Sequence, residues 1–180
     1  MTASDPAAPH IPLVETPEDP LARELFAKLA AGRGILNLHR MMAHAPPLMK
    51  ASGDMALVFR NDAVLARSLA EIVVLRTAQV IDCDYVRARH IPLAHAAGVS
   101  DAKIAEIANW RESTAFTPAE RAALAFAEPA AVLKPVGAAT FADLRRELSQ
   151  REIVELTMLI AFYVSTAIFI KALALPDEKK

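Results

Sequence analysis

Cysteine, glycine and tyrosine are scarce in this chain. One cysteine, Cys83, in 180 residues excludes an internal disulfide and points to a reducing, cytoplasmic location. Five glycines and two tyrosines leave little turn and strand material, whereas alanine is abundant. Alanine favours helices, while strands want β-branched and aromatic side chains. The expected fold class is therefore all-α. An excess of one charge is also missing: Lys+Arg 20 against Asp+Glu 21 leaves a net charge of -1. That balance gives no electrostatic reason to expect nucleic acid or an anionic membrane as partner. Residues 1–20 have neither a basic n-region nor an apolar run, so no secretory signal is expected. With 54% hydrophobic residues, the chain has ample material for a core.

Prolines and glycines divide the chain. Residues 1–20 carry five prolines and read as an extended N-terminal arm. A single helical domain is expected over 21–176, followed by a short tail, 177–180. Asp19-Pro20 is an N-cap followed by proline at the first helical position, and Gly32 and Gly34 close that helix. Further helices are expected over about 35–44, 47–59 and from about Ala63 to Val80. The next runs from Cys83, with Asp82 as N-cap, to about Ala97 before Gly98. Ser100 caps another. Thr117-Pro118-Ala119-Glu120 has the form of a capping box with proline at N1, for a helix ending near Pro129. Two more are expected over 136–148 and 150–175.

The last helix has no charge from Leu156 to Ile170. That run is shorter than the roughly 20 residues needed to cross a bilayer, and Glu155 and Lys171 bracket it. It reads as a core or subunit-interface helix, with no membrane. Glu71-Ile72-Val73-Val74-Leu75 also echoes Glu152-Ile153-Val154-Glu155-Leu156, which raises a degenerate internal repeat. His39 and His44 do not share a helix face and have no carboxylate at ligand spacing. Polar packing is expected there rather than a metal.

The chemistry gathers between Glu71 and His90. If Cys83 opens a helix, then Cys83, Arg87 and His90 stand at i, i+4 and i+7 on one face. The helix N-terminus and Arg87 give Cys83 an electropositive setting of the kind reactive cysteines occupy. Glu71, on the preceding helix, reaches the same place if the two helices pack antiparallel. A carboxylate beside an imidazole orients the ring for general acid–base work.

This spacing resembles the carboxymuconolactone decarboxylase family, which includes the alkylhydroperoxidase D-like proteins. The family pattern is a glutamate, a cysteine twelve positions on, often a second cysteine three later, a histidine four after that, and A-x-x-x-G-(L/V)-(S/T)-D. Glu71, Cys83, His90, Ala94, Gly98, Val99, Ser100 and Asp101 match. The resemblance covers roughly residues 32–175. It implies an alkylhydroperoxidase D-like helical bundle assembled as a trimer or hexamer, with pockets at or near subunit interfaces. Two departures matter. Val86 stands where the second cysteine would, so a two-cysteine relay within the motif is excluded. Relatives with Tyr-Glu-Trp before the histidine keep the tyrosine here, as Tyr85, but Val86-Arg87 replace the other two.

The leading expectation is a lyase or decarboxylase-like enzyme, without cofactor or metal, acting on a small organic acid or lactone, such as an intermediate of aromatic catabolism. His90 is the general acid–base, Glu71 orients it, Arg87 or Arg76 anchors an anion, Tyr85 donates a proton and Cys83 lines the pocket. The alternatives are a one-cysteine thiol peroxidase working through a sulfenic acid at Cys83, and a non-catalytic helical oligomer that binds ligands.

Overall fold

The computed structural model describes residues 8–178. Residues 1–7 of the proline-rich arm and 179–180 of the tail lie outside the described residues. Among the described residues the regular structure is entirely helical, as the composition implies. The chain divides into two compact units, Met1–Val58 with Phe169–Lys180, and Phe59–Ile168.

In the first unit, α1 (Pro20–Ala30) starts as expected: Asp19 Oδ1 accepts the N–H groups of Leu21 and Ala22 at 2.8 and 3.0 Å. It ends through Gly34, whose φ of 85° lets its N–H turn back to Leu29 O at 2.8 Å. The short α2 (Asn37–Met42) has no carboxylate to complete its cap. His39 Nδ1 instead accepts the Leu36 N–H at 3.0 Å. His44 Nε2 bonds to Pro12 O at 2.8 Å. α3 (Pro46–Asn61) begins slightly earlier and runs slightly further than expected. Ala22, Phe26, Ala43 and Met49 form this unit's core.

In the second unit, α4 (Arg67–Val80) begins later than the expected Ala63. The segment before it is held out of the helix by side chains of α9 (Gln150–Ala172): Leu65 N–H donates to Glu155 at 2.8 Å, and Arg151 donates to Asp62 O at 3.0 Å. α4 packs on α5 (Asp84–Ala96) and α7 (Pro118–Ala131). Ile72, Leu75, Ala94, Val99, Ile107, Trp110, Phe116 and Leu124 form the core between them. Two elements link α5 to α7: α6 (Asp101–Glu106), capped by Ser100 Oγ, and a 3-10 turn, Ile107–Asn109. α7 carries the expected capping box. Thr117 Oγ1 accepts from Glu120 N–H at 3.3 Å, and Glu120 Oε2 accepts from Thr117 N–H at 2.7 Å. α8 (Ala138–Glu147) follows and packs on α7.

The turn between α4 and α5 corrects one expectation. Asp82 is not an N-cap. It sits at φ 51°, with its N–H on Gln79 O at 3.2 Å, and the Cys83 N–H reaches Ala78 O at 2.8 Å. This pair of bonds is the Schellman ending of α4, with aspartate in the left-handed position that glycine usually takes. Cys83 itself is the N-cap of α5, which opens at Asp84.

The faint repeat does not carry the same structure. Glu71 lies inside α4 and is 1% exposed. Glu152 lies in the first turn of α9, where its carboxylate accepts the Ser149 N–H at 2.8 Å. In that register the α4–α5 turn falls on the unbroken middle of α9. By length and composition alone, α9 could cross a membrane. Leu156, Leu159, Ile160 and Ala167 on it are buried. Val154, Met158, Ala161, Ser165 and Ile168 form an exposed stripe without charge.

Candidate active site

The site is built where α4 crosses α5. Glu71, inside α4, and His90, in α5, are 1% and 7% exposed. Buried polar and charged groups persist only when paired, and these two pair with each other: His90 Nδ1 lies 2.6 Å from Glu71 Oε2. The second carboxylate oxygen, Oε1, accepts from the guanidinium of Arg67, one turn earlier on α4. A carboxylate held by a guanidinium acts as acceptor, so the ring nitrogen that faces it, Nδ1, is the donor of this bond.

Aromatic rings from α9 complete the surroundings. Tyr163 meets His90 edge to face, with centroids 4.7 Å apart and planes at 84°. Phe162 packs on Tyr163 in the same way at 5.2 Å, and Phe59 on Phe162 at 5.7 Å. Such pairs fix ring orientation beyond what burial alone does. They set His90 in an apolar wall.

Cys83 is buried, 4% exposed, at the N-cap of α5. No side chain caps this helix start, so the thiol lies at its positive pole. Seven residues of helix put it about 10 Å along the axis from His90. The sequence pattern thus brings Glu71 and His90 into contact and leaves Cys83 as a neighbour.

The arginines fall differently. Arg87 is about half exposed and pairs with Asp84 at 2.9 Å. With Gln79, Leu75, Ile91, Ile104 and Ile107 it borders a shallow cleft of about 20 Å³ that none of Glu71, Cys83 and His90 lines. Arg76 is committed elsewhere. It donates to Glu128 Oε1 at 2.6 and 3.0 Å, and Trp110 and Arg111 donate to the same carboxylate. Burial pushes the Glu128 carboxyl up, but the bonds from Arg111, Trp110 and Arg76 outweigh it and hold it down at about 2. This network ties α7 to α4 and leaves Arg76 poorly placed as a substrate anchor. Tyr85 is buried, with the Arg89 guanidinium 5.9 Å from its ring centroid.

Sequence reasoning overlooked Arg67 and Tyr163. Arg67 had a readable signal, a cation one helical turn before a glutamate. Tyr163 had none, because only packing brings α9 to α5. Among the described residues no three His, Cys, Asp or Glu side chains gather as a metal site.

Residues 46–129 match the model of the carboxymuconolactone decarboxylase family. The uncharacterized protein YnjA of Escherichia coli (strain K12) is 34% identical over 109 residues, 59% of this chain and 59% of that protein. The match thus spans less than two thirds of the relative. Among solved structures, a cysteine-to-alanine variant of the debrominase Bmp8 in complex with 2,3,4-tribromopyrrole superposes with a TM-score of 0.80 at 20% identity, covering 95% of this chain and 94% of that one. An alkylhydroperoxidase AhpD core, an uncharacterized peroxidase-related protein from Ralstonia eutropha JMP134, does so with 0.76 at 17% identity, covering 94% of each. At these identities the structural likeness shows a shared fold. The alkylhydroperoxidase D-like helical fold expected from the motif is the fold observed.

Proposed function

We propose, from the match of residues 46–129 to the carboxymuconolactone decarboxylase family model, that this chain is a cofactor-independent lyase or decarboxylase-like enzyme acting on a small organic acid or lactone. The observation that carries this reading is the 2.6 Å bond between His90 Nδ1 and Glu71 in a nearly dry site. Glu71 orients the ring, and Nε2 exchanges protons with the substrate. Positioned acid–base groups of this kind contribute roughly 10²–10⁴-fold to rate. Arg87 is retained as the anion anchor, because its guanidinium is accessible on the same helix as His90. Tyr85 is retained as a proton donor and Cys83 as a pocket-lining residue. A screen of carboxylated lactones and intermediates of aromatic catabolism, comparing wild type with His90→Ala, tests the reading. Equal turnover by the two proteins removes His90 from the mechanism.

A second reading is favoured by one observation, the position of Cys83 at an uncapped helix N-terminus. There the protein is a one-cysteine thiol peroxidase, with a sulfenic acid at Cys83 resolved by an external thiol. Peroxide consumption that Cys83→Ser abolishes and His90→Ala merely slows would select it.

The protein acts as a homo-oligomer in either reading. The support is the uncharged exposed stripe of α9: Val154, Met158, Ala161, Ser165 and Ile168 repeat at the alternating four–three spacing of a helix–helix seam. A second copy presents the same stripe, so the face complements itself across a two-fold axis.

A further inference from the structure

α4 starts against the local rules for a helix. Ala66 occupies its N-cap without a side-chain bond to the open N–H groups. The first helical residue is Arg67, a cation at the positive end of the macrodipole. Residues that break local rules are expected where something else holds them. Here that something is Glu71. The Arg67 guanidinium donates to Glu71 Oε1 while His90 holds Oε2. The Glu71 side chain is 1% exposed and that of Arg67 is 33% exposed, so the cation stands between the buried carboxylate and solvent.

We propose that Arg67 is a positioning residue of this site: it supplies the countercharge of the buried Glu71 carboxylate, so that the Glu71–His90 pair holds one proton rather than two and His90 presents a bare Nε2 as a proton acceptor. The inference rests on the reading of His90 as the acid–base group. A buried carboxylate needs a countercharge, and two groups are in contact with it, the guanidinium and the imidazole. If the imidazole supplied the charge, both its nitrogens would carry protons and neither could accept one. With Arg67 in that role, the neutral ring donates Nδ1–H to Glu71 and keeps its Nε2 lone pair. In the accepting step, a proton leaves an acidic C–H, O–H or S–H bond of the substrate for Nε2. The bonding electron pair stays on the substrate as an anion, and the imidazolium formed lies against the Glu71 carboxylate. Tyr163 adds a ring contact to the imidazole, and the contacts among Arg67, Glu71 and His90 set the proton inventory.

The test reads that inventory directly, on the full chain with ¹⁵N-labelled histidine at mildly alkaline pH. Two-bond ¹H–¹⁵N correlations distinguish a bare Nε2 from a protonated one. Wild type is expected to show His90 with a bare Nε2. In Arg67→Met the majority of the signal is expected to move to the doubly protonated ring, and Arg67→Lys is expected to return it. Arg67→Gln, which keeps a hydrogen-bond donor but not the charge, is expected to behave as Arg67→Met does and provides a second variant if that protein does not fold. A bare Nε2 in a folded, charge-free Arg67 variant overturns the proposal, and so does a protonated Nε2 in the wild type. The measurement needs no substrate. Failure of every lactone to turn over therefore strikes the proposed reaction and leaves this result standing, while an unchanged ring in the variants strikes Arg67 alone.

Discussion

Glu71 and His90, nineteen positions apart, meet at 2.6 Å because the α4–α5 turn folds their helices back on each other. The pair is asymmetric in its supports. Glu71 has a guanidinium on its far oxygen, and His90 has the Tyr163 ring at its edge. Removing the charge from Glu71 while keeping its shape separates the chemical role from packing. Glu71→Gln is expected to fold, because its amide oxygen can still accept from one neighbour. It is expected to lose about tenfold to a hundredfold in kcat on any substrate that wild type turns over. Glu71→Ala leaves Arg67 and the imidazole without their shared partner and is expected to cost about 3 kcal/mol or more in stability. Steady-state kinetics with urea unfolding checks both. Full activity in Glu71→Gln would show that the carboxylate only packs.

How much of this is legible in the sequence depends on the distance over which each feature is specified. Glu71, Cys83 and His90 lie within a single helix–turn–helix, so their spacing is readable, as are the caps at Asp19 and Thr117. Asp82 misleads because aspartate serves both as an N-cap and as a tolerated left-handed residue, and the choice depends on the Cys83 N–H finding Ala78 O. Arg76 looks available because its partner, Glu128, lies on α7, far along the chain. Tyr163 is hidden for the same reason. Local chemistry can be read from residue order, and pairing between distant helices cannot.

His39 makes the first unit sensitive to acid. Burial lowers its imidazole, with a smaller push from Arg40, from the ordinary 6.5 to about 4. Its neutral Nδ1 accepts the Leu36 N–H at the start of α2. Between those two values the unfolded chain binds the proton and the folded chain does not, so stability rises with pH across the window. The contribution is full above about pH 6.5 and is lost as pH falls toward 4, by at most about 3 kcal/mol. His39→Gln keeps an acceptor for Leu36 without titrating. The difference in unfolding free energy between wild type and His39→Gln should therefore change by that amount between neutral pH and pH 4. A constant difference would refute the assignment.

Leu133 ends α7 in the wrong conformation for its residue type. Its φ is 56°, the Lys134 N–H reaches Pro129 O at 2.9 Å, and the side chain is 86% exposed. The turn is the same Schellman ending that closes α4, but a leucine pays the steric penalty of the left-handed region, about 1–2 kcal/mol. Glycine removes that penalty and gives back about 0.5–1 kcal/mol through the greater freedom of the unfolded chain. Leu133→Gly is thus expected to stabilise by about 0.5–1 kcal/mol, the difference of those two effects, read as a rise in thermal midpoint. Leu133→Ala, which keeps a Cβ, is expected to change little. A drop in midpoint for the glycine variant would mean that the exposed leucine is covered in the assembled protein.

The stripe on α9 makes a sharper statement about assembly. Val154, Met158 and Ile168 are 62%, 46% and 62% exposed, and Ala161 and Ser165 between them are small enough to let a second helix approach closely. No charge interrupts the face from Val154 to Ile168 except Glu155, and its carboxylate turns to Leu65 N–H and Arg151. Exposed apolar area of this kind on one helix marks an interaction surface, and a self-complementary one is satisfied by its own copy. Wild type is therefore expected to elute as an oligomer in light-scattering chromatography at micromolar concentration. Met158→Lys, which places a charge at the centre of the stripe without touching a buried residue, is expected to shift the population to a smaller species while helicity by circular dichroism stays the same. Unchanged mass in Met158→Lys would place the subunit contact on another face.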